Sequence, residues 1–320
     1  MLEVVPFTDE QLGDAAPLLA ARHRRQRERE PLLPERFEHA EAAREELEVA
    51  WRRRGASGAA AFRDGRLVGY LIGAPREDDV WGPNVWVDAA GHAVGEAEDA
   101  RDLYAAAAAD WVGRGRTSHY ALVPATDPEL VDAWFRLGFG QQQAYAVREV
   151  PAHAEVRVPA GVEIRPPREE DVEELIAVDL ALPLHQRRSP VFSSRPLPAE
   201  DELRREWRST LAGDDEHVLI GLLDGRPVAC WSVAAAERSS QHRGLMVPDR
   251  ACLLGFAATL PEARGSGIGV ALTDASLAAA AERGYGAMLT DWRVTNLLAS
   301  RFWPRRGFRT TFLRLYRSTP

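Results

Sequence analysis

The sequence predicts a mixed α/β protein made of two halves that follow one plan, and three observations carry that reading. Strand-like and helix-like stretches alternate along the chain. Each half holds an Asp-Gly hairpin signal between apolar runs, at Asp64-Gly65-Arg66 and at Asp224-Gly225-Arg226. The third observation is an ordered recurrence. Trp134-Phe135-Arg136-Leu137-Gly138-Phe139 is matched 169 residues later by Trp303-Pro304-Arg305-Arg306-Gly307-Phe308.

Taken in order, each half opens on a short strand and an acidic helix start, Val4 to Glu10 in the first and Val162 to Asp171 in the second. The charge run Arg22 to Glu30 interleaves Arg with Glu and reads as a solvated helix face. After each hairpin comes a further β-rich run, then a long Ala-rich helix. These helices are expected from Ala97 to about Arg114 and from Gly267 to about Arg283, with Gly113, Gly115 and Gly284 as terminators. A strand, a short helix and a terminal strand pair complete each half. Residues 151–160 are bounded by prolines and lack a helical period, so they read as a linker. The expected division is a first domain over 1–152, a linker over 153–160 and a second domain over 161–320. The Ser- and Pro-rich segment from about Leu184 to Pro198, which includes Ser194, reads as a mobile loop.

Composition removes several classes. At roughly 100–200 residues per domain, 320 residues suggest two domains. Hydrophobic residues at 45% and charged residues at 28% exclude collagen-like, coiled-coil and wholly disordered chains. There is no Lys, so all 40 basic residues are Arg, against 48 acidic ones for a net charge of −8. That balance argues against a nucleic-acid partner, because non-specific phosphate binding needs a cationic surface. Cys230 and Cys252 lie in apolar strand-like runs without ligand spacing, so they read as reduced core thiols and no metal site is expected. The opening residues lack a basic segment followed by an apolar one. No later run approaches the roughly 18 apolar residues of a membrane span, so a cytoplasmic protein is expected.

The stretch that carries chemistry begins with an apolar strand, Ala251 to Thr259. A glycine loop, Leu260-Pro261-Glu262-Ala263-Arg264-Gly265-Ser266-Gly267-Ile268-Gly269, then leads into the second Ala-rich helix. Glycines let a backbone fold tightly around a ligand, and the unpaired N–H groups of a helix start hold an anion. The arrangement therefore reads as a pyrophosphate cradle to which Arg264 adds charge. A Rossmann turn would stand first in its domain, and a Walker loop needs a Lys that this chain lacks. Simple tight packing of the turn is the competing reading.

With these residues in view, the C-terminal half, about 161–320, resembles the GNAT superfamily of acyl-CoA-dependent N-acyltransferases. The signature of that family is Gln/Arg-x-x-Gly-x-Gly/Ala at a strand-to-helix junction. Arg264-Gly265-Ser266-Gly267-Ile268-Gly269 fits its fixed positions, and Asn296, Trp303 and Gly307-Phe308 follow in the family's order. The resemblance implies two tandem GNAT-like domains, each a mixed, mostly antiparallel twisted sheet flanked by helices. It also implies acetyl-CoA as co-substrate. Ala257, Ala258 and Thr259 would pair by backbone with its pantetheine arm, residues 264–269 would hold its pyrophosphate, and Asn296 would bond it near the thioester. Many members carry Tyr where this chain has Trp303, and indole cannot protonate a departing thiolate. Trp303 is therefore expected to build the wall of the site, leaving the sulfur to water, another donor or its own modest basicity.

An amine of pKa about 10 is neutral in only about one part in a thousand at pH 7, equivalent to about 4 kcal/mol of barrier unless a base takes the proton. Asp291, five residues before Asn296, is the candidate base, at an offset where some family members carry a catalytic Glu. Alternatively it pairs with Arg293 or caps the next helix. Glu237 and His242 are weaker candidates, explained more simply as exposed loop polarity. In the N-terminal half, Val85 to Gly95 is taken as the stretch corresponding to the motif, and it has no cradle. This half reads as a degenerate copy, with His92 as polar loop surface. The expected function is transfer of an acetyl group from acetyl-CoA to a primary amine of a small molecule or peptide, by a monomer or homodimer. The alternative is a non-catalytic acyl-CoA sensor.

Overall fold

Both Asp-Gly pairs turn tight hairpins. Asp64 and Gly65 take φ of 53° and 75°, and Asp224 and Gly225 take 51° and 80°. Two left-handed residues in succession give the loop whose twist matches its antiparallel strands. A computed structural model describes residues 1–320 apart from Asp78 and Ser194. Two units emerge. Unit 1 comprises Met1–Tyr145, Arg243–Pro248 and Thr310–Pro320, and unit 2 comprises Ala146–His242 and Asp249–Arg309.

Unit 1 begins with β1 (Leu2–Pro6), α1 (Leu12–Arg27), α2 (Ala40–Trp51), β2 (Ser57–Arg63), β3 (Arg66–Gly73), β4 (Asn84–Val87) and β5 (His92–Val94). It continues with α3 (Asp99–Gly113), β6 (Ser118–Pro124), α4 (Pro128–Arg136) and the start of β7 (Gly140–Glu149). Strands β1, β2, β3 and β5 form an antiparallel sheet in that order, and β4 runs parallel to β6. Its core holds Phe7, Leu12, Leu19, Phe37, Leu47 and Tyr70, together with Leu245 and Met246 from the short inserted segment. Burying each such large apolar side chain contributes about 1.5–3 kcal/mol.

Unit 2 contains β8 (Val162–Arg165), α5 (Val172–Gln186), α6 (Glu200–Ala212), β9 (Glu216–Leu223), β10 (Arg226–Ala235) and β11 (Ala251–Thr259). After these come α7 (Ile268–Glu282), β12 (Ala287–Arg293) and α8 (Leu297–Arg305). Its strands lie in the order β12, β11, β10, β9, β8. Only the first pair is parallel. The last strand, β13 (Arg309–Ser318), pairs antiparallel with β6 from Phe312–Pro124 to Ser318–Ser118 and so completes the sheet of unit 1. Thus residues from Thr310 onward fold with unit 1 and those from Ala146 with unit 2, a division that differs from the linear one at 152 and 161. No helix or strand occurs within 151–160.

The repeat is closer than the sequence alone displays. Adding 169 to α3 (99–113) gives 268–282, the bounds of α7; 118–124 gives 287–293, the bounds of β12; 128–136 gives 297–305, the bounds of α8. Gly138 and Gly307 share a φ of 81°, and Phe139 and Phe308 each donate a backbone N–H to the carbonyl of the preceding Trp, at 3.3 and 3.2 Å.

Three local expectations need correction. The charge run is solvated on one side only: Arg24, Arg25, Glu28 and Arg29 are exposed, whereas Arg22, His23, Gln26 and Glu30 are buried. A 3.6-residue period puts Arg22, His23 and Gln26 on one stripe of α1, with Glu30 beyond its end at Arg27, and backbone carbonyls serve the guanidinium. Arg22 donates to Ala89 O at 2.6 Å and to His92 O, and burial lowers its pKa to about 10. Gly113 lies inside α3, whereas Gly115 and Gly284 take the left-handed turn at φ 75° and 78°. Helix α5 runs to Gln186, so the segment read as a loop from Leu184 starts in a helix, and Ser194 lies outside the described residues. Among the described residues no helix is long and apolar enough to cross a membrane, and no group of three His, Cys, Asp or Glu could hold a metal ion. Both cysteines are free and buried, with burial raising the Cys252 thiol to about 12.

Candidate functional site

The site opens where two parallel strands part. β11 pairs with β12 from Ala251–Ala287 to Leu253–Leu289, and among the described residues no further pair of these strands follows. On its other side β11 stays paired with β10 as far as Thr259. The ladder shifts so that Val233 faces Leu254 and Ser232 faces Phe256, leaving Gly255 as an extra, exposed residue. Such a bulge bends its strand. Thr290 Oγ1 donates to Leu254 O at 3.1 Å, capping the last carbonyl before the gap. Beyond it the edge of β11 at Ala257, Ala258 and Thr259 lines a cavity of about 480 Å³ within unit 2.

The glycine loop closes one end of this cavity. Gly265 has φ 83° and Gly267 has φ 87°, the latter capping α7. A Cβ on Gly265 would meet no atom within 4 Å, so the loop faces open space there, whereas one on Gly267 would lie 3.0 Å from Pro159 Cγ. Ser266 is spent internally: its hydroxyl donates to Ala263 O at 2.7 Å and accepts from Ile268 N at 3.4 Å. Ile268 is buried against Gly221, so its side chain anchors the helix and only its backbone can serve a ligand. Gly269 leaves room for Trp231, 3.4 Å from where its Cβ would stand. Arg264 is exposed at the rim. In the first turn of α7, Ile268 N meets Ser266 Oγ and Val270 N meets Gly267 O at 3.1 Å, which leaves Gly269 N as the donor at the positive end of the helix dipole. Open space, left-handed glycines and a helix start together fit a pyrophosphate.

The aromatic wall is Trp303, buried among Trp231, Phe302 and Phe308 with ring centroids at 6.5, 4.9 and 5.4 Å. Asn296 is buried and caps α8, accepting from Ala299 N at 3.3 Å. Asp291 is therefore not a helix cap. Its side chain lines the cavity, is 26% exposed, and has Oδ2 3.5 Å from His242 Nε2. His242 is 2% exposed and so is not loop surface; burial lowers its pKa, against the field of Asp291. Glu237 is exposed.

Sequence reasoning missed His185, whose Nε2 lies 3.2 Å from Asn296 Oδ1, and the lining residues Trp231, Thr290 and Phe302. The glycine motif and its spacing do not point to His185, which comes from α5. Thr290 adjoins Asp291 on β12, and because strand alternation sends adjacent side chains to opposite faces, the sequence held no signal for it.

The constant offset moves the N-terminal counterpart of the loop from Val85–Gly95 to Gly95-Glu96-Ala97-Glu98-Asp99-Ala100, since 264 − 169 is 95 and 269 − 169 is 100. Where α7 begins with glycines, α3 begins with three carboxylates. Arg63 holds Glu96 at 3.2 Å and Asp99 at 2.9 Å, and Arg136 holds Glu98 at 2.8 Å. The helix start there already has its anions. His92 is 1% exposed, its Nε2 lies 2.9 Å from Leu122 O, and burial lowers its pKa to about 3. It is a core residue and neither surface nor base.

Residues 182–308 match the model of the Acetyltransferase (GNAT) family. No curated protein matches the sequence. Among solved structures, a GCN5-related N-acetyltransferase from Sphaerobacter thermophilus aligns over 99% of this chain and 95% of its own, with TM-score 0.60 and 13% identity. A tandem GNAT protein from the clavulanic acid biosynthesis pathway aligns over 100% and 98%, with TM-score 0.50 and 17% identity. At these identities the likeness is one of fold.

Proposed function

Residues 182–308 match the Acetyltransferase (GNAT) family model, and we propose that the chain is a member of that family which transfers an acetyl group from acetyl-CoA to a primary amine. The observation that carries the reading is the gap between β11 and β12, closed at one end by the glycine loop and bordered by Asp291. In this reading the edge of β11 from Ala257 to Thr259 binds the pantetheine arm through main-chain groups. Gly265, Gly267 and the Gly269 N–H in the first turn of α7 hold the pyrophosphate, with Arg264 beside it. Trp303 and Trp231 exclude water along the wall. Asn296 holds the acyl end through its amide nitrogen, because its oxygen is engaged by Ala299 N and His185.

Asp291 takes the proton of the acceptor ammonium. The amine nitrogen then attacks the acyl carbon, the carbon–sulfur bond breaks and CoA leaves as a thiolate. A water molecule takes the second proton from the new amide nitrogen and gives one to the sulfur. Trp303 takes no part in that protonation, since an indole N–H can donate a hydrogen bond but is far too weak an acid to give up its proton near neutral pH. The N-terminal half is a degenerate copy. Its helix start carries carboxylates in place of an anion cradle, so one acetyl-CoA binds per chain.

Calorimetry with acetyl-CoA, followed by thiol release with an amino acid, a polyamine, an aminosugar antibiotic and a short peptide, tests both statements. One site with amine-dependent thiol release is expected. Two equivalent sites would refute the degenerate half, and tight binding without turnover on any amine would favour an acyl-CoA sensor.

A further inference from the structure

The geometry points to His242 as the residue that positions Asp291 through a defined tautomer set by Ser239. The inference rests on the reading of Asp291 as base. Ser239 Oγ accepts the backbone N–H of Gln241 at 3.2 Å and of His242 at 3.1 Å, and it also lies 3.1 Å from His242 Nδ1. A hydroxyl has one proton and two acceptor sites. With both acceptor sites used by the main chain, its proton goes to Nδ1, which must accept. The ring proton then resides on Nε2, 3.5 Å from Asp291 Oδ2. That electrostatic contact is too long and ill-aligned for a formed hydrogen bond here, and a small shift of the carboxylate would close it when Asp291 meets substrate.

This arrangement suits a base. A neutral N–H donor fixes the direction of a carboxylate and leaves it able to take a proton, whereas an imidazolium in the same place would hold the carboxylate ionised and weaken it as a base. Burial supports the neutral ring: His242 is 2% exposed and its pKa is lowered, with Asp291 on β12 the charged group whose field acts on it. The same burial keeps His242 from reaching an acceptor amine itself. The two residues therefore divide the work, Asp291 meeting the substrate and His242 aiming it.

Nitrogen NMR of the full chain tests the tautomer without any acceptor, with the His242 signals assigned by their loss in His242→Gln. Nε2 protonated and Nδ1 bare is expected at neutral pH; a proton on Nδ1, or a charged ring, overturns the inference. Kinetics with the best amine of the panel above give the second readout. His242→Leu should lower kcat about tenfold at unchanged acetyl-CoA affinity, and His242→Gln, which keeps an N–H, should recover to within about threefold of the native rate. In an Asp291→Asn background His242→Leu should cost nothing more, whereas a merely structural role would lower activity in both backgrounds. Should His242→Leu not fold, Ser239→Ala should lower kcat and Ser239→Thr should restore it. Full activity in Asp291→Asn would refute the base, while a large loss in Asp291→Asn with native rates in the Leu and Ser239→Ala variants would refute the positioning alone.

Discussion

Replacing Gly265 with Ala isolates the loop's backbone from its packing. Gly265 sits at φ 83°, and an added Cβ meets nothing within 4 Å, so Ala can be placed without collision. What remains is conformational: an L residue in the left-handed region costs about 1–2 kcal/mol. At about 1.4 kcal/mol per factor of ten, the free loop would hold its ligand-ready form in only about 3–16% of molecules. The dissociation constant for acetyl-CoA should therefore rise about 5- to 30-fold. Melting should fall by only a few degrees, since about 1 kcal/mol corresponds to about 2–4 °C in a chain of this size class. Titration calorimetry and thermal denaturation on the same preparations read the two effects separately. Native affinity in a variant with lowered melting temperature would show that the loop is a packing turn and not a cradle. Gly267 is a poorer probe, because its substitution would also press on Pro159.

Asp291→Asn should lower the rate by up to about a thousandfold at pH 7, the loss shrinking about tenfold per pH unit as the amine deprotonates unaided; a pH-rate profile flat relative to the native enzyme would place the base elsewhere. Trp303→Phe should cost about 1–2 kcal/mol of stability from lost burial while turnover stays within about threefold, and a hundredfold loss with acetyl-CoA affinity intact would reveal a role for the indole N–H. Asp179, on α5, accepts from Trp207 Nε1, and burial raises its pKa to about 6 from 3.8. Its sign is therefore destabilising. The folded state holds the proton more tightly, so a penalty develops as pH rises from about 4 to 6 and is complete above that. Asp179→Asn should raise the melting temperature at pH 8 and leave it nearly unchanged at pH 4, and denaturation scans at the two pH values with equal effects would refute the assignment.

Features set by neighbouring residues were legible in the sequence. The two Asp-Gly hairpins, the left-handed glycines ahead of α7 and the recurrence of Trp and Gly-Phe depend on local backbone preferences, which a few adjacent residues determine. The groove could be anticipated only through its glycine loop. Tertiary structure decided which polar groups meet. His242 was misread as exposed because a loop residue's burial depends on what covers it, and His185 was invisible because α5 reaches Asn296 across 111 residues of sequence. Arg22 was misread for the same reason, since the carbonyls of Ala89 and His92 that receive it lie about 70 residues away. The terminal strand, too, found its unit by pairing with β6 and not by proximity along the chain. Composition and spacing thus determined the plan of each half and the anion-ready helix start. The order of strands in the sheets, which brings distant residues within a few ångströms, determined the partners of Asp291 and Asn296.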